Sequence, residues 1–86
     1  MQEIAVGKVS KYFGHVGVAA LEITGAGFKT GDTLRFKGHT TDFTQTVESM
    51  QVEHQSVVEA KPGDSIGLKV KDRVRPHDQV FKVVGD

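Results

Sequence analysis

The chain lacks cysteine altogether, and this absence removes two classes of protein at once. Neither a disulfide framework nor a thiolate metal site is available to its 86 residues. A small domain without crosslinks is most simply placed in the cytoplasm, which is the location we predict. The N-terminal segment MQEIAVGKVSKYF has no basic start followed by a long apolar run, so a signal peptide is not expected.

Long apolar runs and an excess of one charge are also missing. No segment approaches the roughly 20 apolar residues of a membrane span, so we expect no membrane partner. Eleven basic and eleven acidic residues cancel, whereas a domain that holds nucleic acid by phosphate contacts is usually basic. The balance disfavours free-standing nucleic-acid binding but leaves one local basic cluster, formed by Lys69, Lys71, Arg73 and Arg75.

What the chain does contain is short alternating segments divided by ten glycines and two prolines. The alternation has the period of two that is typical of strands. It predicts an all-β fold, a single domain over residues 1–86, and a small six-stranded, closed, Greek-key-like β-barrel. The predicted strands cover 4–13, 16–23, 33–37, 43–52 with a β-bulge near Ser49, 65–70 and 79–84. The predicted core includes Val18, Leu21, Leu34, Phe36, Val47, Val52, Ile66, Leu68, Val80 and Phe81.

Three segments place an aspartate just before a strand, after a residue suited to a turn. They are Thr30–Asp32, Pro62–Asp64 and Pro76–Asp78. In the second of them, proline fixes φ at about −65° and glycine supplies the positive φ of a type II turn. The aspartate is then placed to accept backbone N–H groups that the turn leaves free. The pattern predicts turns and no catalytic motif.

The order of these signals also carries a resemblance. The first half contains Gly7-x-Val9 and then Phe28-Lys29-x-Gly31-Asp32. The second half contains the spacing S-x4-H-x4-E-x2-P-G-D-x2-G, which begins at Ser49, passes through His54 and Glu59 and ends at Gly67. Over residues 4–83 the chain resembles domain 2, the β-barrel, of translational GTPases of the elongation factor Tu and elongation factor 1A type.

The resemblance implies contacts as well as a fold. In elongation factors this barrel contacts the aminoacylated 3′ end of tRNA, and in related GTPases it contacts the small ribosomal subunit. The positions that match the tRNA-end contacts are Gln51, His54 and Ser65. The chain has no G-x-x-x-x-G-K-[ST] phosphate loop, so a GTPase activity and a nucleotide partner are not expected.

Two further features permit two interpretations each. The basic segment 69–78 is either a solvated loop or an edge that contacts an RNA backbone or a protein. Tyr12 and Phe13 either offer stacking faces for a base or close the end of the barrel. The predicted RNA-binding or partner-binding residues are Gln51, His54, Ser65, Lys71, Arg73 and Arg75.

No cofactor, metal site or catalytic group is predicted. Successive histidines lie 15 to 24 residues apart, whereas a zinc site usually uses at least one close pair. The segment 37–46 carries hydroxyl groups, an aspartate and a histidine, but no spacing sets a base against a nucleophile. We therefore expect that the chain is not an enzyme.

Two functions follow as hypotheses. The main one is a non-catalytic, translation-factor-like module that contacts tRNA, ribosomal RNA or a protein of the translation apparatus. The alternative is an accessory or scaffold barrel that docks onto a separate enzyme, since collagenase-like peptidases and RNA-modifying relatives carry similar small barrels. The zero net charge favours the alternative, because a protein interface tolerates neutrality better than a phosphate backbone does.

Overall fold

A computed structural model describes residues 2–85 of this chain. Its regular secondary structure consists of β-strands. That range contains no helix long and apolar enough to cross a membrane, and the cytoplasmic location stays a prediction. Ten strands are present between residues 2 and 85: β1 (Gln2–Phe13), β2 (Val18–Ile23), β3 (Phe28–Lys29), β4 (Thr33–Lys37), β5 (Asp42–Thr46), β6 (Met50–Val52), β7 (Gln55–Val57), β8 (Glu59–Ala60), β9 (Ser65–Lys69) and β10 (Gln79–Val84).

Eight of these strands form one antiparallel sheet in the order β5-β4-β10-β1-β2-β9-β6-β7, and β3 pairs with β8 in a second sheet. Strands from both halves of the large sheet contribute to one hydrophobic cluster, so the sheet curves around it. The all-β prediction is confirmed. The buried members of the cluster are Val6, Val9, Ala19, Leu21, Ile23, Phe28, Leu34, Phe36, Val47, Met50, Ala60, Ile66, Leu68, Val70, Val74 and Val80.

β1 pairs with two neighbours and bends at two bulges. Its register with β10 shifts between Ala5 and Gly7, and its register with β2 shifts between Val9 and Lys11. A bulge adds one residue to a strand and increases the local bend. Gly7 is needed for close approach at the first bulge, because a Cβ on this residue would overlap the carbonyl group of Glu22.

The three predicted turns share one hydrogen-bond pattern. In each, the aspartate Oδ2 accepts the backbone N–H of the residue three positions earlier at 2.9 Å. The N–H of the aspartate donates in turn to the carbonyl of that same earlier residue. The residue before the aspartate has a positive φ in all three turns: 94° at Gly31, 96° at Gly63 and 77° at His77. The role predicted for the aspartates is therefore found in each turn.

The prediction of a closed six-stranded barrel is wrong. β5 and β7 are the two edges of the large sheet, and no ladder joins them within residues 2–85. The predicted strand 43–52 is two strands, β5 and β6, separated by residues 47–49. A bulge near Ser49 is replaced by this interruption.

Val47 explains why the sheet stays open. Its side chain is only 2% exposed and belongs to the core. Its N–H donates to the carbonyl of Asp32 at 2.8 Å, and its carbonyl accepts the N–H of Gly31 at 2.9 Å. These bonds bind the chain to the turn before β4, so it leaves the line of β5 and resumes as a strand beside β9 only at Met50.

A side chain spans the seam between β5 and the end of β9, which no ladder joins within residues 2–85. The Gln45 Nε2 on β5 donates to the carbonyl of Lys69 at 2.7 Å, and the Gln45 Oε1 accepts the N–H of Lys71 at 2.8 Å. The two backbone groups lie on either side of Val70, as they would for a residue paired with a parallel strand. One side-chain amide thus takes the place of one peptide group of a neighbouring strand.

The predicted core is mostly correct, and two of its three exceptions have a common cause. Val18, Val52 and Phe81 are half-buried, whereas the other predicted members are buried. Val18 and Phe81 each alternate with buried neighbours, Ala19 and Val80, and so face outward. Residue type alone does not distinguish an apolar residue on the outer face of a strand from one on the inner face.

We expect Asp78→Ala to lower the free energy of unfolding by about 1–3 kcal/mol, because its carboxylate bonds the Arg75 N–H and is itself buried. The matched change Asp32→Ala removes the same bond from a half-buried turn and should cost less. Urea unfolding followed by circular dichroism measures both. Equal losses for the two variants would contradict the role of burial.

We expect Gln45→Ala to lower the free energy of unfolding by about 1–2 kcal/mol, since two backbone hydrogen bonds across the seam are lost. The more specific readout is amide hydrogen exchange at Lys71, which should accelerate while exchange inside β2 and β9 stays unchanged. Thr44→Ala on the same strand is the control, because Thr44 is exposed. Unchanged exchange at Lys71 would show that the amide does not hold the seam.

Candidate functional site

The outer surface of β2, β9 and β6 contains a row of small residues. Gly67 lies opposite Ala20 on β2 and opposite Gln51 on β6. Its neighbours Ile66 and Leu68 are buried, so position 67 faces away from the core. The missing side chain leaves a groove of about 200 Å³, which we call the Gly67 groove. The groove is lined by Val18, Ser49, Met50, Gln51, Ser56, Gly67 and Lys69.

The backbone does not require glycine at position 67. Its φ lies outside the left-handed region, and the nearest atom to a Cβ added there would be the Val18 Cγ1 at 3.7 Å. That distance is an ordinary van der Waals contact, so an alanine or a larger side chain directed outward fits. The glycine therefore shapes the groove and is not needed to make the strand.

Exposed apolar residues border the groove at the tip of the β1–β2 hairpin. Phe13 is 48% exposed and Val16 is 63% exposed, and Phe13 pairs with the groove residue Val18. The tip is held in place by two bonds of 2.9 Å, from the Gly17 N–H to the Phe13 carbonyl and from the Val70 N–H to the Gly17 carbonyl. A fixed apolar tip beside a groove is suited to packing against another protein.

Lysines lie near the Gly67 groove and the exposed apolar residues beside it. Lys11 lies opposite Ala20, and Lys69 lies opposite Val18. Lys8 lies opposite Glu22 in the next row. Within residues 2–85, none of these lysines is in an ion pair. The face therefore combines an apolar centre with cationic groups at its margin.

On the other outer face, formed by β1, β10, β4 and β5, Arg35 is paired with two carboxylates, whereas Lys37 has no ion pair within residues 2–85. Arg35 donates to Glu3 at 2.7 Å and to Asp42 at 2.9 and 3.0 Å. These hydrogen bonds raise the pKa of Arg35, with Asp42 the larger contributor, and the bond from Arg35 lowers the pKa of Asp42. Because these three groups satisfy one another, this face offers fewer unpaired charges to a partner.

The structure places two of the predicted binding residues on the face that holds the groove. Gln51 lines the groove, and Ser65 begins β9 two residues before Gly67. His54 lies outside the groove, in the two-residue turn between β6 and β7. Glu53 and His54 have φ of 50° and 66°, as a type I′ hairpin turn requires of both its central residues.

The remaining predicted residues, Lys71, Arg73 and Arg75, lie together in the connection between β9 and β10. All three are exposed. The buried Val70 and Val74 anchor this connection to the core. The six predicted residues thus fall into separate groups and do not form a single site. Tyr12 packs against the core, so of the two aromatic residues only Phe13 is available to a partner.

Within residues 2–85, no three histidine, aspartate or glutamate side chains form a group that could hold a metal ion. That the protein uses no metal and no cofactor stays a prediction. The groove contains hydroxyl, amide and ammonium groups but no arrangement of a base and a nucleophile.

Comparison with known proteins gives the chain its relatives. No family model matches it. It is 40% identical over 82 residues to a collagenase of Porphyromonas gingivalis, and 36% identical over 81 residues to an uncharacterized protease of Methanocaldococcus jannaschii. These matches cover 94% and 93% of this chain but 20% of each relative. The chain therefore spans about one fifth of the length of the curated relatives it matches.

A solved structure agrees with these sequence matches. The C-terminal domain of a "putative U32 peptidase" from Geobacillus thermoleovorans matches with a TM-score of 0.87 and 26% identity. The match covers 94% of this chain and 93% of that one. The chain is similar to a domain of collagenase-type peptidases. We use this term for the collagenases, the protease and the peptidase just described.

The resemblance to translational GTPases is therefore wrong, as is the description of the chain as translation elongation factor-like. The residues that suggested it have structural roles here. Asp32 and Asp64 close turns, and Gly31 and Gly63 adopt the positive φ that these turns require. Their spacing reflects where the turns between strands fall in a small β domain. Unrelated or distantly related domains can share such a spacing. A tRNA-end pocket at Gln51, His54 and Ser65 loses its basis, while partner binding by the predicted residues stays a prediction.

Sequence reasoning missed the main features of the face that holds the Gly67 groove. Gly67 was identified only as part of a spacing, and Lys11 was not identified at all. The signal for Gly67 was its position between two inward residues of β9, where an outward glycine is unusual. No local signal links it to Ala20, because the register of β2 and β9 brings them together.

Glycine and asparagine are far easier than glutamate and histidine to place at the positive φ of the β6–β7 turn. We expect the pair Glu53→Asn and His54→Gly to raise the free energy of unfolding by about 1 kcal/mol. Chemical denaturation of the two chains measures this change. A lower free energy of unfolding would show that contacts of the two native side chains outweigh the backbone strain.

Proposed function

We propose that this chain is a non-catalytic accessory domain that docks onto the enzyme portion of a collagenase-type peptidase. The observation that carries the proposal is the way the matches are distributed: almost all of this chain corresponds to one fifth of a collagenase and of a protease. In the solved relative, the matching unit is a C-terminal domain of a peptidase. In these relatives, the segment that matches this chain is therefore a minor part of a longer peptidase.

The physical features of the chain support a binding role over a catalytic one. Its net charge is zero, and its accessible groove has no nucleophile beside a base. Its core is complete, with no buried side-chain polar atom left without a hydrogen bond in residues 2–85. Such a domain contributes surfaces, and it stabilises or positions a larger protein through them.

A chimera tests the proposal. In the Porphyromonas gingivalis collagenase, the 82-residue segment similar to this chain is replaced by the chain, and a second variant lacks the segment altogether. A tethered domain at millimolar effective concentration that docks with micromolar affinity stabilises its neighbour by a few kcal/mol. We expect the unfolding temperature of the enzyme portion to be about 3–5 °C higher in the chimera than in the deletion variant.

Differential scanning calorimetry measures the two transitions, and a chimera with an unrelated β domain of the same size is the control. An enzyme transition that is identical in the chimera and the deletion variant would contradict docking. The non-catalytic part is checked with the isolated chain, which should not hydrolyse the substrate that the collagenase cleaves. Turnover by the isolated chain at a rate comparable to that of the collagenase would contradict it.

A further inference from the structure

We propose that the docking surface is the face that contains the Gly67 groove, and that the groove receives one apolar side chain of the enzyme portion, with carboxylates of the enzyme portion opposite Lys11 and Lys69. This inference rests on the proposed function and specifies its contact surface. The occupant is a protein surface with an aliphatic or aromatic residue flanked by acidic residues.

The apolar part of the inference follows from two exposed apolar residues beside the groove. Four large apolar residues between positions 2 and 85 are exposed, and two of them, Phe13 and Val16, lie on the hairpin that borders the groove. Val18 links them to the groove through its pairing with Phe13. A rigid apolar tip next to a depression is the shape into which an interface anchors a side chain.

The size of the groove favours a side chain over a small-molecule ligand. Its volume of about 200 Å³ is below the roughly 300–1,000 Å³ of typical ligand sites. Gly67 contributes no side chain to the groove, which lets a partner approach the backbone of the sheet closely. Gln51 and Ser56 at one wall supply polar groups that can bond the backbone of the partner.

The charged part follows from a comparison of the two outer faces. Arg35 is neutralised by Glu3 and Asp42 on its own face, whereas Lys11 and Lys69 have no ion pair in the described residues. Lysines at the rim of an apolar contact raise the association rate with an acidic surface and select against a basic one. An RNA is a poorer fit, because few phosphates can be contacted here and an apolar tip gains nothing from them.

The test uses the collagenase chimera, in which the chain carries Gly67→Leu. A Cβ at this position contacts only the Val18 side chain and no backbone, and the leucine side chain then occupies space in the groove. The control is Thr44→Leu, which adds an apolar side chain at an exposed position of β5 on the other outer face. We expect Gly67→Leu to remove at least half of the rise in the enzyme transition, and Thr44→Leu to leave it unchanged.

A second pair of variants tests the charges. Lys11→Glu combined with Lys69→Glu should reduce the same rise by at least half, whereas Lys37→Glu on β4 should not. Thermal unfolding of each isolated chain shows whether the domain itself remains folded. Raising the salt concentration should weaken docking in the native chimera more than in the double lysine variant.

The outcomes separate this inference from the proposed function. If the native chimera shows no rise at all, both fail. If the native chimera shows the rise and Gly67→Leu retains it in full, docking is real but uses another surface, and the present inference is overturned. If the lysine variants leave docking unchanged and instead abolish retention of a single-stranded RNA by the isolated chain, the face is an RNA-binding surface and the inference is also overturned.

Discussion

One curved sheet of eight strands has to enclose most of the hydrophobic core, and much else in the molecule depends on that constraint. Strands as far apart in the sheet as β4 and β6 contribute Phe36 and Met50 to the same cluster. The bend is concentrated in β1, where two register shifts let one strand pair with β10 on one side and with β2 on the other. Gly7 makes the first bend possible because only a residue without a Cβ can lie so close to Glu22.

The same constraint explains why the sheet stops short of closure. A core residue was needed beneath the turn before β4, and Val47 fills that place by leaving the line of the strand. The backbone groups of Lys69 and Lys71 that a closed barrel would pair are bonded by Gln45 instead. The three aspartate turns add local order, since each one fixes the start of the strand that follows it. A slip of one residue in β4, β9 or β10 would break the turn as well as reverse the faces of the strand.

What the sequence could predict is what short-range patterns encode. Alternation located β2, β4, β9 and β10, and the aspartates located the turns that precede the last three of these strands. Val47 shares the parity of Phe43, so alternation continued the strand through the point where the structure interrupts it. The role of Gln45 depends on residues that are distant in sequence, and the groove depends on the register between β2, β9 and β6. The family assignment failed for a related reason, because the spacing of turn residues describes a way of folding and carries little information about partners.

The Gly67 groove also bears on how the surface of such a domain can differ between relatives. Most glycines that approach backbone closely, such as Gly7, Gly25 and Gly27, are fixed by what surrounds them. Gly67 is not constrained in this way. Its backbone conformation is open to other residues, and its surroundings leave room for a Cβ. The depth of the groove is thus not set by a steric demand of the scaffold at position 67. A substitution at position 67 can therefore fill or reshape the groove while the architecture persists, so related domains can differ in this surface and still share the fold.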